Sequence, residues 1–204
     1  MRRRTFDALV STGGLLLAAV LLIAGALLTW GYHFANSNVH NQLAAEQIYF
    51  PAKGSPALAD PRVGPYLNRY AGQQLLTGKQ AEAYADHFIK VHLTEVANGQ
   101  TYAQVSTKAQ ADPSNAALAA QTQTLFRGET LRGLLLESYG FWKFGQIAFI
   151  GAIASFALGG VMLVLSALGL VHLRRTGEQT ELSLGHGHGR GHGHGQPAAP
   201  APAS

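Results

Sequence analysis

Two long stretches of this chain carry no charge at all. No Asp, Glu, Lys or Arg occurs between Asp7 and Glu46, and none occurs between Lys143 and Arg174. Inside them lie Ala8–Trp30 (ALVSTGGLLLAAVLLIAGALLTW, 23 residues) and Phe144–Val171 (28 residues). A helix of about 20 mostly apolar residues covers the ~30 Å of bilayer hydrocarbon, at ~1.5 Å per residue, so each run is long enough to cross. A core helix of a soluble protein rarely runs so far without a polar face. These gaps also account for a charged fraction of only 13%, against about 25% in a typical soluble domain.

The flanks orient the two spans. Trp30, Tyr32 and Phe34 follow the first run, and Tyr139, Phe141 and Trp142 precede the second. Such aromatic side chains favour the headgroup layer, where an apolar ring and a polar N–H or O–H are both satisfied. Both clusters fall on the side of the intervening segment. Arg2, Arg3 and Arg4 mark the opposite side of the first run, and Arg174 and Arg175 that of the second. By the positive-inside rule both ends are cytoplasmic and the middle of the chain lies outside the plasma membrane. The resulting division is 1–7 cytoplasmic, 8–32 first transmembrane helix, 33–143 extracytoplasmic domain, 144–172 second transmembrane helix and 173–204 cytoplasmic tail. A cleavable signal peptide competes for the N-terminal run, since Ala24-Gly25-Ala26 has small residues at the right spacing. The apolar stretch, however, exceeds the ~7–15 residues of a signal core, and Leu27, Leu28 and Trp30 continue past the site.

Small residues predict that the spans pack together. Gly151, Ser155 and Gly159 recur on one face of the second, and Gly14, Ala18, Gly25 and Thr29 fall near one stripe of the first. The same pattern would serve a homodimer.

Between the spans the signals are helical. Asn36-Ser37 opens a segment through Val39, Leu43 and Ile48, ended by Pro51, that prolongs the first span. Residues 51–65, with four prolines and two glycines, read as an ordered loop. Residues 66–76 read as a short helix with Leu67, Tyr70, Ala71 and Leu75 inward. Thr77-Gly-Lys-Gln80 has the form of a capping box, and Asn98-Gly99 that of a helix stop. Between them Ala81, Tyr84, Ala85, Phe88, His92 and Val96 make a heptad-like stripe with Phe88 at its centre. A short helix follows over 101–111. Asp112-Pro113 then caps a last helix that carries Leu118, Leu125, Leu131, Leu135 and Tyr139 toward the membrane and runs into the second span, with Gly128 and Gly133 as its bending points. The fold class is all-α: a two-helix transmembrane hairpin bearing a small helical extracytoplasmic domain. The His/Gly- and Pro/Ala-rich C-terminal tail has nothing to bury and reads as disordered.

The chemistry on offer is thin. There is no cysteine, so no disulfide, thiol nucleophile or thiolate metal site. Segment 34–143 has nine Lys/Arg against eight Asp/Glu, without the basic stripe of a nucleic-acid binder. Four histidines of the tail, His186, His188, His192 and His194, lie within nine residues and suit Zn²⁺, Cu²⁺ or Ni²⁺ through neutral imidazole. A solvated low-complexity tail with incidental metal affinity explains the same residues. In the middle domain, Asp86-His87 and His92-x-x-Glu95 invite a second metal reading. On a helix, however, His87 and His92 are ~140° apart and share no face. Ordinary surface pairs, Asp86 with Lys90 and His92 with Glu95, are the plainer reading. No Gly-x-Ser-x-Gly or Ser-x-x-Lys occurs, no glycine loop cradles a phosphate, and neither span holds an ionisable residue at mid-depth. No enzyme activity and no bound cofactor are expected.

The segments AEQIYFPAKGSPAL, LNRYAGQQLLTGKQAEAYADHFIKVHL and GETLRGLLLESYGFW resemble those of a group of uncharacterised actinobacterial two-span membrane proteins, over about residues 5–173. Some of that group are labelled aromatic ring-opening dioxygenases, but segment 33–143 offers no iron-binding set. The resemblance implies the two-span layout and supplies no catalytic residues. The expected function is a membrane-anchored interaction or accessory protein that presents its helical domain to a protein or envelope partner. The alternative is a ligand sensor that signals through a separate partner.

Overall fold

The computed structural model describes residues 3–175, with side chains from Thr5 onward. Two long helices dominate it: α1 (Arg3–Glu46) and α7 (Ala116–Arg175). Both contain a stretch long and apolar enough to cross a membrane. They pack antiparallel in one constant register. Ser11 faces Gly169, Gly14 faces Ser166, Gly25 faces Phe156, Gly151 faces Leu28 and Ala35 faces Gly145. Ala18, Ala152, Gly159 and Ser166 are buried in this seam. Small residues let the two backbones approach closely, and the small-residue stripes of both runs meet in this way within one chain. Gln146 Nε2 donates to Asn36 Oδ1 at 3.4 Å across the pair, near the outer end of the apolar stretch.

Neither helix stops where its apolar run stops. The divisions at 32/33 and 143/144 fall inside unbroken helices, α1 continuing to Glu46 and α7 starting at Ala116. α1 ends at Gln47, whose left-handed backbone (φ 51°) turns the chain. Gln74 Nε2 donates to the Ala44 carbonyl at 3.0 Å, satisfying one of the last carbonyls of α1.

The remaining elements form a cap packed on one side of this two-helix stem. Residues 51–65 are not a plain loop: Pro56–Ala59 (α2) and Gly64–Leu67 (α3) each make one helical turn, with proline in the first positions where its missing N–H is harmless. The helix expected over 66–76 stops early. A 3₁₀ turn covers Asn68–Tyr70, and the chain then extends to pair with the end of α1. Phe50 N donates to Gln73 O at 2.9 Å and Leu75 N to Ile48 O at 2.8 Å, an isolated antiparallel bridge. Leu67 and Leu75 are fully buried, as their inward assignment required, while Tyr70 and Ala71 pack at the edge.

Helix α4 (Gly78–Tyr84) opens with both halves of the capping box: Thr77 Oγ1 accepts from Gln80 N, and Gln80 Oε1 accepts from Thr77 N. A π turn over Ala85–Ile89 joins it without a break to α5 (Lys90–Val96). That helix ends at Asn98 and Gly99, both with positive φ, Gly99 N donating to Thr94 O. A second capping box, Thr101 with Gln104, starts α6 (Tyr102–Ala111). The cap of α7 is Asn115, whose Oδ1 accepts from Leu118 N at 3.1 Å; Asp112 instead accepts from the Ser114 hydroxyl.

The expected stripe needs correcting. The buried row of α4–α5 is Ala81, Ala85, Ile89, Leu93 and Ala97, while Phe88 is only partly buried and His92 is exposed. Leu93 sits directly on Gly128 of α7, and Gly78 on Trp142. Gly128 is thus a packing site inside an unbroken helix. One core results, from Val39, Leu43, Phe50, Leu58, Val63, Leu67, Leu75, the α4–α5 row, Val105, Leu125 and Leu135.

Candidate functional site

On the side of the stem away from α4–α6, the C-terminal part of α1 and the N-terminal part of α7 leave a groove of about 660 Å³ between them. Its floor is Val39, Leu43 and Leu135, all buried. The α7 wall is mostly apolar: Leu131, Leu134, Phe141 and Phe144, of which Phe144 is 72% exposed and Leu134 57%. The α1 wall is polar, with Asn38, Gln42 and Glu46 at successive turns. Gln42 Nε2 donates to Asn38 Oδ1 at 2.8 Å. Ser138 and Glu137 add polar atoms from α7, and no Lys, Arg or His lines the groove. Glu46 and Glu137 make no hydrogen bond or ion pair among the described residues.

Below the groove the aromatic residues form a continuous patch. Trp30 stacks on Phe34 at 5.6 Å and Phe34 meets Phe141 edge-on at 6.2 Å. Trp30, Phe34, Phe141 and Phe144 are all exposed. Tyr139 and Trp142 instead stack on each other at 6.1 Å, with Trp142 under Gly78. Part of the aromatic cluster before the second run therefore packs the cap and not a headgroup layer.

The polar groups singled out in the cap are held apart. Asp86 accepts from Arg132 Nη2 of α7 at 2.8 Å, and not from Lys90. This bond, ahead of the cost of burial, raises the Arg132 pKa further above its already high value. Glu95 pairs with Arg62, so the expected His92–Glu95 pair is not made. Arg62 also holds Asp60, whose carboxyl drops below its usual range through bonds from the Arg62 side chain and backbone N–H. The His87 ring stacks flat on Tyr66, with centroids 3.4 Å apart. Burial alone raises the Tyr84 phenol. Among the described residues no three His, Asp or Glu side chains converge as metal ligands. His186, His188, His192 and His194 lie outside the described residues.

The groove was not among the sequence candidates. Leu131 is a groove wall and 39% exposed. The row 38, 42, 46 gave little signal, because Asn36, Ser37, His40 and Asn41 are polar neighbours on the same helix and the partner wall lies some ninety positions further along the chain. Compared with protein families, curated proteins and solved structures, the sequence and fold have no significant match.

Proposed function

We propose that this chain is a membrane-anchored interaction or accessory protein. α1 and α7 cross the plasma membrane as a hairpin, residues 33–143 stand on its outer side and present the groove to a protein or envelope component, and residues 1–7 and 173–204 face the cytoplasm. One observation carries the anchoring. After the two helices have packed on each other, the most apolar windows of α1 and α7 are only 22% and 11% buried. A soluble protein hides such windows in its core; here the remaining surface needs another apolar solvent. Arg174 and Arg175, exposed at the end of α7, favour the orientation. Binding is favoured over catalysis because the cap's charged side chains are engaged with one another, Arg132 with Asp86 and Arg62 with Asp60 and Glu95, and not aimed into a cavity. The sensor reading keeps one argument of its own, since α7 links the cap to the span without interruption.

The test is topological first. Lys53→Cys and Ser114→Cys should react with an impermeant maleimide in intact cells, and Ser183→Cys should not. Lys53 is the probe because it is exposed, whereas the hydroxyl of the neighbouring Ser55 is buried. Labelling at 183 with protection of 53 and 114 would overturn the orientation, and release of the chain by carbonate washing would overturn the anchoring. Partner identity follows from purification out of native membranes, with Leu134→Arg as the variant expected to lose the partner.

A further inference from the structure

We infer that the groove seats a zwitterionic phospholipid, one whose headgroup carries a phosphate and, beyond it, a primary ammonium. The inference rests on the proposed membrane anchoring and names the envelope component for the same groove. Three features of the groove support it. The first is continuity: its lower end opens on Phe141 and Phe144, which run directly into the exposed apolar side chains Ile147 and Ile150 of α7. A lipid can enter from the leaflet without leaving an apolar surface. The second is the vertical order of the polar groups. Continuing the register set by Ala35 against Gly145 puts Asn38 just above that contact, Gln42 level with Ser138, and Glu46 level with Leu134. Asn38, Gln42 and Glu46 are each one turn, ~6 Å, further from the apolar stretch. From the membrane outward the groove therefore offers Phe144, then Asn38 beside Phe141, then Gln42 with Ser138 and Glu137, and last Glu46, so that rings and amides come first and the carboxylates further out. A phospholipid with an ethanolamine-type headgroup presents acyl chain, phosphate and ammonium in that sequence. The third is charge. Glu46 and Glu137 have no partner among the described residues and no cation lines the groove. An anionic headgroup would meet two carboxylates with nothing to offset them, whereas an ammonium gives each a charge-assisted hydrogen bond.

Full-length protein in nanodiscs of equal parts phosphatidylethanolamine and phosphatidylglycerol, released into the gas phase, reports which lipid stays bound. The ethanolamine lipid should be retained about tenfold over the glycerol lipid, as expected for one or two hydrogen bonds to a charged group. Glu46→Gln with Glu137→Gln should abolish the preference. Leu134→Trp, which fills the groove from an exposed position, should lower retention of both lipids. Equal retention by the parent, or an unchanged preference in the double variant, would refute the inference. So would a photoreactive residue at 134 that cross-links only to a protein in native membranes. Carbonate washing keeps the two levels apart. A chain that stays in the membrane but shows no lipid preference sinks only this inference, while a chain that washes off sinks the anchoring itself.

Discussion

Leu93 of α5 and Gly128 of α7 occupy the same space from opposite sides, and a double-mutant cycle on them tests the packing of the cap against the stem. A Cβ at position 128 would overlap Leu93 Cδ2 outright and lie 3.0 Å from Cδ1 and 3.1 Å from Cγ. Leu93 is 5% exposed, so Leu93→Ala should cost about 3 kcal/mol in lost transfer energy and cavity. Gly128→Ala gains about 1 kcal/mol of helix propensity and loses about 1–3 kcal/mol to overpacking, for a net loss of about 0–2 kcal/mol. In the double variant the overlap is gone. The propensity gain remains, and the new methyl fills part of the cavity for about 0.8 kcal/mol. The double variant should therefore be more stable than Leu93→Ala alone by about 1–2 kcal/mol, a coupling of about 1–4 kcal/mol. Circular-dichroism melts of the detergent-solubilised chain should show the midpoint of Leu93→Ala falling by ~10 °C and the double variant recovering ~3–5 °C of it, from the usual few degrees per kcal/mol. Strict additivity, with the double variant melting at or below Leu93→Ala, would refute the contact and the register of α5 with it.

The absence of cysteine makes the stem equally testable. Gly14 and Ser166 bring a built Cβ to 3.5 Å from Ser166 Cβ, and Gly169 to 3.6 Å from Ser11 Cβ, inside the usual ~3.5–4.5 Å for a disulfide. Gly14→Cys with Ser166→Cys should cross-link on mild oxidation, seen on a gel after proteolysis of the cap, while Gly13→Cys with Gly160→Cys, both facing open space, should not. Asp60 sets a pH test. Its folded pKa is depressed, so its contribution is complete above the ordinary carboxylate pKa, ~3.9, and is lost as pH falls through the depressed value. Arg62→Ala should move the Asp60 titration upward in a ¹³C-detected NMR experiment, but only partway, because the backbone N–H of residue 62 still donates to it at 2.7 Å. For the tail, removing 183–204 should abolish retention on immobilised Ni²⁺ and leave the helical dichroism unchanged; loss of metal tolerance in cells would promote the four histidines to a working site.

What the sequence disclosed and what it withheld divide along a physical line. The two long apolar helices were legible because missing charges mark their apolar stretches, each long enough to cross a bilayer. Thr77–Gln80 and Asn98-Gly99 were legible because a cap is settled within four residues. The row Ala81, Ala85, Ile89, Leu93, Ala97 was not. Four-residue steps turn ~400° in α geometry, so such a row drifts ~160° over its length and reads as no stripe at all. The π turn at Ala85–Ile89 absorbs one extra residue and removes ~100° of that drift. The choice is made by the stem, since it brings Leu93 onto Gly128 while leaving Asp86 to reach Arg132. The groove was withheld for a related reason: its walls belong to helices that meet only in the folded chain. The same contacts decide how anything bound there is felt. Gly128, a bending point by sequence, is filled by Leu93, and α7 passes from the cap through Leu134 and Phe141 into its apolar stretch as one helix. An occupant that presses on Phe141 or Phe144 therefore touches the same helix that packs against Ser11, Gly14 and Gly25.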